Sequence, residues 1–88
     1  MPSDDSLDGH TFSADFRGET LTYAEADRMV DMEWYWARGY SIVASSIRTW
    51  RYHDGRTAPV TPEERALVVD RAIRYARDRQ GVTMMVQP

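Results

Sequence analysis

The small number of histidines limits the catalytic chemistry that this chain could perform. The sequence holds two, His10 and His53, and they alone could act as general bases near neutral pH. A Ser/His/Asp arrangement could be drawn from Ser45 or Ser46 with His53 and Asp54. Adjacent His and Asp residues rarely let the acid orient the imidazole toward a nucleophile. We therefore expect no catalytic residues and no enzymatic activity.

Two carboxylates, Asp31 and Glu33, lie two residues apart in a segment with strand-like alternation. That spacing puts both on one strand face, with about 7 Å between their Cα atoms. The sequence lacks cysteine, a glycine-rich phosphate loop and a matching second acidic cluster, so we expect no metal site and no cofactor. The two acids then belong either to a solvated strand face or to a contact with a partner.

Arginines and aromatics alternate in one stretch, where Arg48, Arg51 and Arg56 stand among Trp50 and Tyr52. Aromatic rings can stack on bases while arginines hold phosphates, so this stretch is the best candidate for nucleic-acid binding. The alternative is a core or rim tryptophan whose flanking arginines cover its ring or pair with acids.

The charge distribution favours the second interpretation. Residues 1–44 carry nine acids and three arginines, whereas residues 45–88 carry five acids and eight arginines. An acidic half opposes nucleic-acid binding, which needs a contiguous basic face. The acidic half suits a basic protein partner instead, so we expect no nucleic-acid partner.

The length of 88 residues allows a single small domain. We expect an acidic mobile arm over residues 1–10, which holds little apolar surface, and one domain over residues 11–88. The sequence shows neither a long apolar run nor a secretory signal pattern, which predicts a cytoplasmic protein with no membrane partner. The absence of cysteine fits a reducing compartment.

The clearest strand signal runs over Arg28–Trp36, because apolar and polar residues alternate there with period two. One face holds Val30, Met32, Trp34 and Trp36, and the other holds Met29, Asp31, Glu33 and Tyr35. We expect the tryptophan face to be buried against a helix and the carboxylate face to be wet. Gly39 then predicts a turn, and Tyr40–Ala44 predicts the second strand of a hairpin.

Weaker patterns surround this hairpin. Residues 12–23 are β-like, with a turn near Gly18, and Ala24–Asp27 is a further turn. Residues 45–52 either continue the preceding strand or form a separate short one, which we favour. A turn over residues 53–56 is followed by a segment without periodicity up to Val60.

The helix signal is strong. Thr61 is a suitable N-cap, Pro62 suits the first helical position, and Glu64 can complete a capping box. The predicted apolar face holds Val68, Val69, Ala72, Ile73, Tyr75 and Ala76. Gly81 predicts a left-handed end to the helix, and residues 82–86 predict a final strand.

These elements predict an α+β fold of two layers. We expect a mostly antiparallel sheet of four to five strands with one helix packed on one face, in the order strands, helix, strand.

Four short motifs in this order resemble a family of small immunity proteins from bacterial polymorphic toxin systems, the group numbered seventy-four. They are Tyr23-Ala24-Glu25, the strand from Arg28 that closes on Glu33, Ser46-Ile47-Arg48-Thr49-Trp50, and Glu63-Glu64-Arg65 at the start of the helix. The resemblance extends over residues 21–86.

The resemblance implies an α+β protein that binds and neutralises a cognate toxin domain by occlusion, without catalysis. An acidic surface would speed association with a basic toxin, and a few anchor residues would supply affinity. The candidate partner-binding residues are Glu25, Asp31, Glu33, Tyr35, Arg48 and Trp50. The alternative is a small oligomer-forming domain, in which the tryptophan-rich strand and the last strand create a self-complementary edge that supports a homodimer.

Overall fold

A computed structural model describes residues 9–15, 19–36 and 39–88, apart from the side chains of Trp36 and Gln80. Its strands are β1 (His10–Asp15), β2 (Thr20–Glu25), β3 (Arg28–Trp36), β4 (Tyr40–Val43), β5 (Thr49–Tyr52), β6 (Thr57–Pro59) and β7 (Met84–Gln87). A 3-10 turn over Ala44–Ser46 follows β4, and helix α1 (Pro62–Tyr75) continues into a π-helical turn over Ala76–Gln80.

The fold is α+β, with a mostly antiparallel sheet that has seven strands in the described residues, and one helix. The expected count of four to five strands was therefore wrong. Residues 12–23 contribute to two strands, and β6 is a three-residue strand that ends in Pro59 and is too short to show alternation. Within residues 45–52, Thr49–Tyr52 forms a separate strand after the 3-10 turn, which agrees with the favoured interpretation.

Strand β3 is the centre of the sheet. It pairs with β2 along one edge, while its other edge pairs with β5 near Arg28 and with β4 near Trp34. The β3–β4 hairpin is confirmed, although Ala37 and Arg38 in its connection lie outside the described residues. A two-residue turn, in which Ala26 has φ +49°, joins β2 to β3. Strand β7 runs parallel to β4.

Alternation along the strands produces the core. Val30, Met32 and Trp34 are all buried, and they pack with the helix residues Val68 and Ala72. This confirms the expected buried face of β3 for the residues described, whereas the side chain of Trp36 lies outside them. The buried core also contains Phe12, Leu21, Tyr23, Ile42, Ile47, Trp50, Val60, Ala76 and Met84.

The helix begins as the sequence predicts. The Thr61 hydroxyl accepts from the Glu64 amide at 3.2 Å, and the Glu64 carboxylate accepts from the Thr61 amide at 2.9 Å, which completes the capping box. Gly81 ends the π-helical turn in the left-handed region at φ +67°. The final strand begins two residues later than expected, at Met84.

The first strand begins at His10, the last residue of the expected acidic arm, and residues 1–8 of that arm lie outside the described residues. None of the described helices is long and apolar enough to cross a membrane.

Candidate interaction surface

The sheet face opposite the core is polar, and cross-strand register determines which residues share it. Thr22 lies directly opposite Asp31, and Thr20 lies opposite Glu33. In β1, Ser13 and Asp15 are the next residues in these two rows. We call this surface the open face. Its charged strand residues are Asp15, Asp31, Glu33 and Arg51, so acids outnumber bases on it.

Asp31 is held in place by two neighbours on the open face. One carboxylate oxygen accepts a hydrogen bond of 2.7 Å from the Thr22 hydroxyl, and the other lies 2.9 Å from the Arg51 guanidinium. The Asp31 side chain remains 40% exposed and that of Arg51 51% exposed. The carboxylate is thus oriented by the sheet and still accessible to a partner.

Glu33 is exposed, and its backbone is fixed to the loop after β4. The Glu33 amide donates to the Ser46 hydroxyl at 2.8 Å, and that hydroxyl donates to the Val43 carbonyl at 2.6 Å. The Arg48 guanidinium in turn donates to the Ser45 carbonyl at 2.9 Å, which holds an exposed cation beside the acids.

Three of the predicted contact residues line one shallow depression on the open face. Its volume is about 350 Å³, and its walls are Thr20, Asp31, Met32, Glu33, Ser46 and Arg48. Tyr35, half-buried in β3, lines a neighbouring depression of about 330 Å³ together with Glu19, Glu33, Trp34 and Val43. Glu33 belongs to both, so Asp31, Glu33, Tyr35 and Arg48 form one continuous surface.

Glu25 lies elsewhere, at the end of β2 on the helix side of the sheet. Its carboxylate accepts a hydrogen bond from the Tyr23 hydroxyl and forms an ion pair of 2.9 Å with Arg28. Arg71 of α1 donates to the same Tyr23 hydroxyl and lies 3.7 Å from Glu25. Burial raises the pKa of Glu25, but hydrogen bonds from Tyr23 and Arg28 outweigh it and lower the pKa overall.

The Tyr23 hydroxyl is therefore a junction between sheet and helix. Burial, followed by its hydrogen bond to Glu25, raises the pKa of Tyr23 from 10.0 to about 12. Tyr23 is fully buried, and the phenol stays neutral while it bridges the carboxylate and the guanidinium.

Trp50 lies in the core and is 1% exposed, so it offers no surface to a partner in this conformation. The Arg28 guanidinium lies 3.9 Å from the centroid of its ring. Its indole N–H donates to Glu64 at 3.1 Å. Because the ring is enclosed, it does not form the stacking platform that nucleic-acid binding would need.

Glu64 connects the start of the helix to Trp50 and Arg28. Its carboxylate accepts from the Thr61 amide and the Trp50 indole and lies 3.1 Å from Arg28. The hydrogen bond from the Thr61 backbone, followed by that from Trp50, lowers the pKa of Glu64 from 4.5 to about 2. Of the six predicted contact residues, Glu25 and Trp50 thus belong to the helix–sheet junction.

The serines considered for a catalytic triad donate to backbone carbonyls, Ser45 to Pro88 and Ser46 to Val43. His10 packs in β1 against the ring of Tyr23, with 5.4 Å between ring centroids, whereas His53 is exposed in a turn. Asp54 accepts hydrogen bonds from Arg56 at 3.0 and 2.7 Å. Within the described part of the chain, no group of three potential ligands is placed to hold a metal ion.

The sequence did not identify the specific partners of two arginines, Arg71 and Arg51. Arg71 is not among the residues of the predicted apolar helix face, but it stands one turn from both Val68 and Tyr75 and thus borders that face. Arg51 lies directly opposite Met29 across the β3–β5 pair, and Asp31 is the next residue of β3 on the same face, so Arg51 can reach it. This register cannot be predicted from the local sequence.

Three comparisons, with family models, curated proteins and solved structures, found no match to this chain.

Proposed function

We propose that this protein is an immunity protein that binds a basic surface of a cognate toxin domain with its open face and blocks the toxin by occlusion. The observation that supports this most is the continuous surface of Asp31, Glu33, Tyr35 and Arg48 on a sheet face rich in carboxylates. The resemblance of four sequence motifs to an immunity family supplies the class of partner.

The charges suit rapid and selective association. Asp15, Asp31 and Glu33 outnumber Arg51 on the strands of the open face, and such an imbalance steers a cationic partner toward the sheet. Like charges on other proteins would be repelled, which adds selectivity. Glu33 contributes directly because it is exposed.

Affinity would come from groups that the sheet already holds in place. Asp31 is oriented by Thr22 and Arg51, and the Arg48 guanidinium is bonded to a loop carbonyl. Little side-chain freedom is lost when such groups bind, so binding is less costly. Tyr35 adds a half-buried aromatic next to Glu33, the type of residue that often anchors an interface.

In this proposal Glu25 and Trp50 do not contact the partner but stabilise the domain that presents the open face. They connect β2 and β5 to helix α1 and thereby keep the sheet rigid behind the open face. Their replacement would weaken partner binding only as far as it loosens the domain.

Co-expression with the product of the gene immediately upstream tests the proposal. The wild-type chain should form a one-to-one complex with that product and protect cells from it, whereas Glu33→Lys should bind more weakly and protect less. Asp78→Lys makes the same change of charge on the helical layer and should behave as wild type. Equal protection by all three chains, or no complex with the wild-type chain, would contradict the proposal.

A further inference from the structure

Strand β7 is a sheet edge without the usual protection. In the described residues it pairs with β4 alone, and its four residues, Met84–Gln87, contain no charge and no proline; Pro88 follows directly after them. The other two edges differ, because β1 ends in Asp15 and β6 ends in Pro59. Charges and prolines at edges discourage pairing with another chain, so β7 is the edge best suited to it.

Exposed apolar side chains extend to both faces of this edge. Met85 and Val86 are each 42% exposed, and consecutive strand residues point to opposite faces. Beside Val86 a largely apolar groove of about 390 Å³ separates β7 from α1. Its walls are Ala44, Pro62, Arg65, Ala66, Val69, Asp70, Ile73 and Val86. We call this the edge groove.

The charges of α1 indicate what lies against the edge groove. Glu63 and Asp70 lie two turns apart on one side of α1, next to Ala66 of the groove. Arg77 follows seven residues later in the π-helical turn, where it also pairs with Asp78 at 2.9 Å. The acidic Glu63 begins this series, the acidic Asp70 is in its middle and the basic Arg77 is at its end. In two antiparallel copies of the helix, the charges at the two ends of the series are therefore complementary.

We propose that a second copy of this chain occupies the edge groove, through antiparallel pairing of the two β7 strands about a two-fold axis perpendicular to the sheet. Such an axis reverses each helix relative to its counterpart, so Glu63 of each copy faces Arg77 of the other. Asp70 lies nearest the axis, and Arg74 offsets its charge at 3.2 Å.

The pairing also explains the exposed apolar residues. Directly opposed residues of antiparallel strands point to the same face, so either Met85 or Val86 meets its own equivalent across the axis. In both registers the two edge grooves merge and enclose Val86 from each copy. The interior strand β3 takes no part, which corrects the expected contribution of the tryptophan-rich strand to a self-complementary edge.

Light scattering on the purified full chain over a range of concentrations tests the dimer. The wild-type mass should approach twice 10.2 kDa as concentration rises, and Val86→Lys and Met85→Lys should each keep the monomer mass. Thr57→Lys is the control, because Thr57 is exposed on the edge strand β6 and is not part of the edge groove; it should dimerise as wild type. Circular dichroism would verify that each variant is folded.

A charge exchange tests the antiparallel helices. Glu63→Arg and Arg77→Glu should each weaken dimerisation several-fold, and the double variant should restore it. A wild-type chain that stays monomeric at every concentration would overturn the proposal, as would Lys variants at Met85 and Val86 that still dimerise. Failure of the double exchange to restore the dimer would overturn the two-fold arrangement. If the wild-type chain is monomeric and Val86→Lys no longer binds the upstream gene product, then β7 is a binding site for that product and not for a second copy of this chain.

Discussion

The indole of Trp50 donates a hydrogen bond of 3.1 Å to the carboxylate of Glu64, and this contact joins strand β5 to the first turn of the helix. The same carboxylate oxygen accepts the Thr61 amide, so one side chain both caps the helix and satisfies a buried indole. Arg28 completes the cluster by lying over the Trp50 ring and pairing with Glu64. The position of the helix on the sheet therefore depends on a few polar groups at its start.

Replacement of Glu64 should measure how much this junction contributes. Glu64→Ala removes the acceptor for Thr61 and Trp50, and we expect it to lower the free energy of unfolding by about 1–3 kcal/mol. Glu64→Gln keeps an acceptor oxygen and should lose less. Denaturant unfolding at neutral pH compares the two variants, and equal stability of Glu64→Ala and wild type would contradict this role.

The lowered pKa of Glu64 predicts that the folded chain loses stability at acid pH. Hydrogen bonds from Thr61 and Trp50 lower the pKa of Glu64 from 4.5 to about 2, so its ionised form stabilises the folded chain above pH 4.5. That contribution is lost as the pH falls from 4.5 toward about 2. The stability difference between wild type and Glu64→Gln should therefore shrink across this range, as measured by denaturant unfolding at several pH values. A difference that stays constant would argue against the lowered pKa.

The raised pKa of Tyr23 predicts that the folded chain loses stability at high pH. Burial, followed by its hydrogen bond to Glu25, raises the pKa of Tyr23 from 10.0 to about 12, so its neutral form stabilises the fold below pH 10. That stabilisation is lost between pH 10 and about 12. Tyr23→Phe should cost about 1–2 kcal/mol at neutral pH and lose its difference from wild type over this alkaline range. Tyr35→Phe, on the open face, is the control and should change stability little.

Replacement of Trp50 tests whether this residue belongs to the core or to a surface contact. Because its ring is 1% exposed, Trp50→Ala should lower the free energy of unfolding by about 3–5 kcal/mol, a large part of the stability of so small a domain. Leu67→Ala removes an exposed apolar side chain and should change stability by less than about 0.5 kcal/mol. Thermal unfolding of both variants tests this, and a stable Trp50→Ala would contradict the enclosed position of the ring.

Local patterns predicted β3 and the helix well because each has a strong signal of its own. Alternation over nine residues defined β3 and its buried face, and Thr61, Pro62 and Glu64 marked the start of the helix. The sequence did not predict how β3 divides one of its edges between β4 and β5. That division depends on long-range register, which no local period encodes.

The candidate surface was predicted only in part for the same reason. Asp31, Glu33 and Tyr35 share a strand face by simple alternation, and the strand pattern placed them together. Trp50 has the same period in a shorter strand, so the sequence could not show whether its ring points to the core or to solvent. Its burial follows from the position of Arg28 and Glu64 around it, which only the assembled sheet and helix define.

Asp31 should contribute far more to partner binding than to stability. Its ion pair with Arg51 is largely exposed, and such pairs contribute less than about 1 kcal/mol. Asp31→Asn should therefore unfold close to wild type and yet bind the upstream gene product more weakly. Calorimetric titration beside denaturant unfolding separates the two effects, and a loss of stability that matches the loss of affinity would assign Asp31 a structural role.

The association rate constant with the upstream gene product, measured over a range of salt concentrations, tests the central claim most directly. For wild type we predict fast association that slows as salt rises, because exposed charges on the open face steer the encounter and salt screens them. Glu33→Lys should associate more slowly and with a weaker salt dependence, whereas Asp78→Lys should follow wild type. Association that is independent of salt and unchanged in Glu33→Lys would contradict binding through the open face.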